Sequence, residues 1–112
     1  MSAYAIANIQ SITIGPAIVE YLERIDATLA PYDGRFLIHG DPADVREGQF
    51  TGDLIAIEFP DRDRAEGWYG SAAYGDIKSL RTDNSEGWVI LIDGVMPEHR
   101  ATDILTAGRA TT

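Results

Sequence analysis

Cysteine is absent from this chain of 112 residues, which excludes a disulfide framework, a thiolate metal site and cysteine nucleophilic catalysis. Histidine is scarce. His39 and His99 stand apart, with no His-x-Glu or paired-carboxylate spacing, so no dedicated transition-metal site is expected. Nothing in the chain calls for a haem, and no cofactor is expected. Basic residues are also few: 9 Lys and Arg stand against 18 Asp and Glu, a net charge of −9. An acidic surface repels phosphate backbones and anionic lipid headgroups, so neither nucleic acid nor a membrane surface is an expected partner. No apolar run approaches the roughly 20 residues that span a bilayer. Met1-Ser2-Ala3-Tyr4 lacks the basic region and apolar core of a signal peptide, and the expected location is the cytoplasm. Glycine-rich phosphate loops and nucleophile elbows are missing too, which removes the motif basis for nucleotide chemistry or serine hydrolysis.

What remains is the composition of one ordinary domain, 45% hydrophobic and 24% charged, long enough to bury a core without staples. Residues 4–9 form a short aromatic and β-branched run that reads as a first strand. Gly15-Pro16 opens a helix, because proline at the first helical position gives up an N–H that would have no partner anyway. Ile18, Leu22, Ile25 and Leu29 then recur at spacings of 4, 3 and 4, an apolar stripe. Pro31 and Asp33-Gly34 end the helix and turn the chain. Strands follow at residues 34–39 and 54–59, separated by an acidic loop that begins at Gly40-Asp41-Pro42. Asp61 is a good N-cap for a helix over 62–69, Gly70 interrupts it, and Ser71 can cap a further helix bearing Tyr74, Ile77 and Leu80. A last strand covers 88–92. Residues 1–95 thus make a single domain, and 96–112 an arm expected to be a short helix or frayed, able to reach a partner subunit.

The order β-α-β-β-α-β is the ferredoxin-like arrangement, an α+β fold with an antiparallel sheet and both helices on one face. Strand alternation places Ala5, Ala7, Phe36, Ile38, Ile55 and Ile57 against the helices. Tyr4, Ile6, Leu37, Leu54, Ala56, Val89 and Leu91 are expected on the other face. An uncovered apolar face of that extent is an interface, and a second copy of the same chain covers it most simply, as a homodimer.

Polar side chains interrupt that open face: Asn8, Arg35, His39 and Glu58. Each asks for a partner. Arg35 could anchor a ligand carboxylate or enolate through bidentate hydrogen bonds, or pair with Glu58 within the fold. Glu58 could be a general base if burial raised its pKa, or only the counter-ion of Arg35. His39 has the chemistry for proton transfer near neutral pH, yet its position at a strand end also suits simple exposure. Tyr69, Tyr74 and Trp68 could line a pocket. Trp68 is assigned to the core, and Tyr74 is the better pocket candidate because its hydroxyl needs a partner if buried. Arg81, in the last turn of its helix, suits the helix dipole.

Tyr32-Asp33-Gly34-Arg35-Phe36, Ile57-Glu58-Phe59-Pro60, Ala65, Trp68-Tyr69, Ser71, Tyr74 and Leu80-Arg81 fall in one order and spacing over residues 4–95. This set resembles the bacterial family termed domain of unknown function 1330, within the dimeric α/β-barrel superfamily. The chain departs from that family at Gly15, where an acidic residue is common, at Asp33-Gly34, often Gly-Gly, and at His39, often Arg. The resemblance implies two ferredoxin-like subunits paired sheet to sheet, and it raises Arg81 as an anion contact. Relatives in the superfamily include cofactor-free monooxygenases, lactone isomerases and haem-dependent enzymes, so the fold leaves the chemistry open. Two functions follow as expectations. One is a cofactor-independent enzyme, acting by proton transfer or oxygenation on a small anionic or phenolic metabolite held between helices and sheet. The other is a non-catalytic ligand-binding or interaction module whose polar residues only set dimer register.

Overall fold

A computed structural model describes residues 1–106 of the chain. Strand β1 (Ala3–Ile12) leads to helix α1 (Pro16–Leu29), a 3-10 turn (Ala30–Tyr32) and strand β2 (Arg35–His39). Strand β3 (Asp53–Phe59), helices α2 (Arg62–Tyr69) and α3 (Ala72–Thr82), and strand β4 (Ser85–Asp93) complete the domain. The sheet is antiparallel in the order β2-β3-β1-β4, with the helices on one face, which is the ferredoxin-like α+β fold. The arm beyond contains a short helix, α4 (Asp103–Thr106); the frayed end expected of it falls at 107–112, outside the described residues.

Local chemistry explains the boundaries. Pro16 occupies the start of α1. The Asp61 carboxylate accepts from the Arg64 backbone N–H at 2.8 Å, and Ser71 Oγ accepts from that of Tyr74 at 3.1 Å, so each helix start has a donor satisfied. Asp33 takes the left-handed conformation, φ 56°. Gly34 is required for space instead: a Cβ there would lie 2.7 Å from Phe59 Cε1 and 2.9 Å from Leu29 Cδ2. The turn thereby lets β2 enter the sheet directly over the packed end of α1.

The core sits between sheet and helices, with Ala3, Ala5, Ile57 and Phe59 from the sheet meeting Ile25, Leu29, Ala65, Trp68, Tyr74 and Ile77. Three expected placements need correction. On α1 the inward residue is Tyr21, while Leu22 is half-exposed; Tyr21 lies three residues after Ile18 and four before Ile25, an equally good helical spacing.

On β4, Val89 and Leu91 lie opposite Ala7 and Ala5 and so face the helices, whereas Trp88, Ile90 and Ile92 occupy the open face. Every residue from 88 to 92 is apolar, so alternation could not choose a face. Pairing with β1 chose it.

The third correction comes from a β-bulge. Arg35 pairs with Glu58 and Phe36 with Ile57, but the next pairs are Ile38 with Ala56 and His39 with Ile55. Leu37 is the extra residue, and beyond it the alternation inverts. Ile38 therefore joins the open face, and His39 turns to the helix face beside Phe36.

Candidate functional site

Between the helix face of the sheet and α1 and α3 lies a cavity of about 270 Å³. Its existence follows from side-chain size. Ala5, Ala7 and Val89 form the floor where neighbouring strands carry Ile55 and Ile57, while Ile18, Tyr21, Leu22 and Ile25 of α1 form the roof. Gly87, opposite Ile9, adds no side chain to the helix face. The walls are mostly apolar, and the polar groups are few: Tyr21, Tyr74, Arg81, His39 and Asp53.

The Tyr21 and Tyr74 hydroxyls are 2.8 Å apart, and Arg81 Nη2 donates to the Tyr74 hydroxyl at 3.4 Å. The Arg81 guanidinium also lies 5.8 Å from the centre of the Tyr21 ring, within cation–π range. Tyr74 is held on several sides, by Trp68 at 4.2 Å, Tyr69 at 5.5 Å and Tyr21 at 6.2 Å between ring centres. Trp68 is itself fixed, since its Nε1 donates to Thr28 Oγ1 at 2.9 Å. The polar corner is therefore built on a rigid aromatic stack.

Burial, reinforced by the Tyr74 hydroxyl, pushes the Tyr21 phenol well above its ordinary value, so it stays protonated. Burial pulls Arg81 down, but its contacts with Tyr74 and Tyr21 outweigh this and the net direction is up. The corner thus offers a permanent cation and two hydroxyls. One hydroxyl proton serves the bond between the tyrosines, which leaves the other, with the remaining guanidinium N–H groups, available to a ligand.

Arg81 differs from five other arginines of the chain. Arg24, Arg35, Arg46, Arg62 and Arg64 are exposed and each pairs with a carboxylate. Arg81 is half-buried and, with twice as many acids as bases in the chain, pairs with none among the described residues.

The residues anticipated from the sequence fall into two groups. Tyr74, Arg81 and His39 meet at the cavity, with the His39 ring stacked on Phe36 at 4.4 Å and 14°. Tyr69 backs Tyr74 from outside the cavity lining and carries Lys78 Nζ 4.9 Å from its ring centre. Arg35, Glu58 and Asn8 lie on the opposite face. There Arg35 Nη2 and Nε lie 2.8 and 3.0 Å from Glu58 Oε1. The hydrogen bond from Arg35 holds the Glu58 carboxyl below its ordinary value, the reverse of what a general base needs. Asn8 donates to the Thr51 carbonyl at 3.1 Å and accepts from Gln10. Sequence reasoning missed Tyr21 and Asp53. The inward spacing of Tyr21 on α1 was available as a signal; Asp53, at the first position of β3, had none.

The profile of domain of unknown function 1330 (DUF1330) matches residues 2–95. The chain belongs to this family. No curated protein matches it. Among solved structures, a DUF1330 chain of this shape is similar to a protein of unknown function from Rhodopseudomonas palustris, at 10% identity over 86% of this chain and 84% of that one, TM-score 0.62. It is also similar to a dimeric ferredoxin-like protein of unknown function from Jannaschia sp. CCS1, at 9% identity, 84% and 100% coverage, TM-score 0.64. A third likeness is to SnoaB, a cofactor-independent oxygenase from Streptomyces nogalater, at 16% identity, 87% and 98% coverage, TM-score 0.55. At such identities the likeness establishes the fold alone. Among the described residues no helix is long and apolar enough to cross a membrane, and no three metal-ligating side chains gather.

Proposed function

We propose that this DUF1330 protein is a homodimeric small-molecule-binding protein whose cavity takes a small anionic or phenolic metabolite. The observation that carries the reading is Arg81, a half-buried guanidinium with no carboxylate partner among the described residues, set against an apolar cavity of about 270 Å³. A buried charge without a counter-ion is costly, and a ligand anion is the partner that fits. At about 30 Å³ per water the cavity equals about nine waters, the size of a single-ring compound. Tyr74 and Arg81 bind the ligand oxygen in this reading, and Tyr69 braces Tyr74.

An enzymatic role follows from the same geometry. An acidic O–H or C–H of the ligand loses its proton to His39, and the electron pair stays on the oxygen beside Arg81 as a phenolate or enolate. That anion can be reprotonated elsewhere, an isomerisation, or react with dioxygen without a cofactor. The cofactor-independent oxygenase among the structural neighbours is in keeping with this. The alternative, binding without catalysis, is favoured by one observation: Glu58, the other base anticipated from the sequence, is committed to Arg35 on the far face.

The open face supports the dimer. Ile38, Trp88, Ile90 and Ile92 are each more than 40% exposed there, and a dimeric neighbour shares the fold. Arg35, Glu58 and Asn8 then set register in the interface. Calorimetric titration with benzoate tests the ligand reading. Charge-assisted hydrogen bonds contribute about 1.5–3 kcal/mol, so Arg81→Ala should weaken benzoate binding about tenfold to a hundredfold while the fold survives. Equal affinity in the variant, or no binding by the wild-type protein, rejects it.

A further inference from the structure

The cavity is not electrically uniform. Arg81 enters it from the helical layer, at the last turn of α3. Asp53 enters from the sheet: it pairs with Ile9 and shares its face, and it lines the same cavity. The two charges do not satisfy each other, since among the described residues no ion pair joins them and Asp53 has no other cationic partner. Asp53 is also left uncovered by its neighbour. Gly40, at φ +84°, carries no side chain, and a Cβ there would lie 3.9 Å from the Asp53 Cγ. The His39 ring, stacked on Phe36, forms a flat wall on the same side, because His39 and Gly40 are consecutive and both line the cavity.

We infer that the cavity selects a single-ring ligand bearing an anionic group at one end and a neutral or cationic hydrogen-bond donor at the other, the first read by Arg81 and the second by Asp53. This rests on the anion-binding role given to Arg81 above and adds a specificity-determining residue to it. The chemistry is directional. A carboxylate accepts hydrogen bonds and cannot donate them when ionised, so Asp53 rewards an O–H or N–H and repels a second carboxylate. Discrimination of this kind needs a repulsive element as well as an attractive one, and Asp53 supplies both. The apolar floor between the two ends accepts a ring and nothing charged.

The experiment is a calorimetric comparison of benzoate, 4-hydroxybenzoate, 4-methoxybenzoate and terephthalate on the wild-type protein and on Asp53→Ala. In the wild type, 4-hydroxybenzoate should bind at least about fivefold more tightly than benzoate or the methoxy compound, and terephthalate at least about fivefold more weakly than benzoate. In Asp53→Ala, benzoate should keep its affinity, the hydroxyl preference should vanish and terephthalate should recover. Terephthalate bound as well as benzoate by the wild type, or an unchanged order in Asp53→Ala, overturns the inference while leaving the Arg81 site intact. Failure of all four to bind the wild type rejects the Arg81 site and this inference with it.

Discussion

Replacing Tyr74 by Phe removes one oxygen from a buried contact and leaves the ring stack in place. Tyr74 is 1% and Tyr21 8% exposed, and their hydroxyls meet at 2.8 Å. After Tyr74→Phe the Tyr21 hydroxyl and an Arg81 N–H lose their partner. An unpaired buried polar group costs about 1–3 kcal/mol. Both tyrosines line the cavity, so a water can replace part of the loss, which sets the expectation for each single variant at about 1.5 kcal/mol. With a urea slope of about 1–3 kcal/mol/M, the midpoint should fall by about 0.5–1.5 M. The double variant, Tyr21→Phe with Tyr74→Phe, removes both hydroxyls at once and leaves no orphan between them. It should therefore cost about 1 kcal/mol less than the sum of the singles. The assay is urea unfolding at one fixed protein concentration, because the proposed dimer would make stability concentration-dependent. Additivity within about 0.5 kcal/mol would refute the coupling and, with it, the polar corner on which the proposed ligand site rests.

Gly34→Ala should destabilise the fold by about 1–3 kcal/mol through overpacking, since its Cβ would meet the Phe59 ring at 2.7 Å; an unchanged melting temperature would contradict this. Ile90→Asp, a charge set in the open face opposite Ile6, should give a folded 12.2 kDa species by sedimentation where the wild type is expected to sediment as a dimer. A dimeric Ile90→Asp protein would show that this face is not the interface. The depressed Glu58 pKa contributes stability that is present above the unfolded value of about 4.3 and is lost as pH falls through the folded value. Wild type should accordingly lose more stability than Glu58→Gln on acidification below about pH 5, and the difference should shrink in high salt because Arg35 is 71% exposed. Identical acid profiles would remove Arg35–Glu58 from the account.

Much of the fold was legible in local chemistry. Pro16, Asp61, Ser71 and Asp33-Gly34 are decisions made within a few residues, and the structure places α1, α2 and the two caps where they point. The succession of periods, two then 3.6, dictated the β-α-β-β-α-β order and hence the ferredoxin-like sheet. The site was only half legible. Tyr74 could be identified because a tyrosine hydroxyl on an inward helix face must find a partner, but the partner, Tyr21, is 53 residues away. Arg35 and Glu58 looked like chemistry and are paired to each other across adjacent strands.

What the amino-acid sequence alone determined was the set of elements, their order and the acidic, cysteine-free character of the chain. Tertiary structure decided which side each strand residue faces. A single extra residue at Leu37 turns His39 from the open face to the cavity, and the register of β4 against β1 sends Val89 inward and Trp88 outward. It also decided that Arg81 meets no carboxylate among the described residues. Periodicity of two is degenerate under a shift of one, and an ion pair is a matter of distance between elements; neither is written in any local stretch of chain, and both are settled only when the strands pair and the helices close over them.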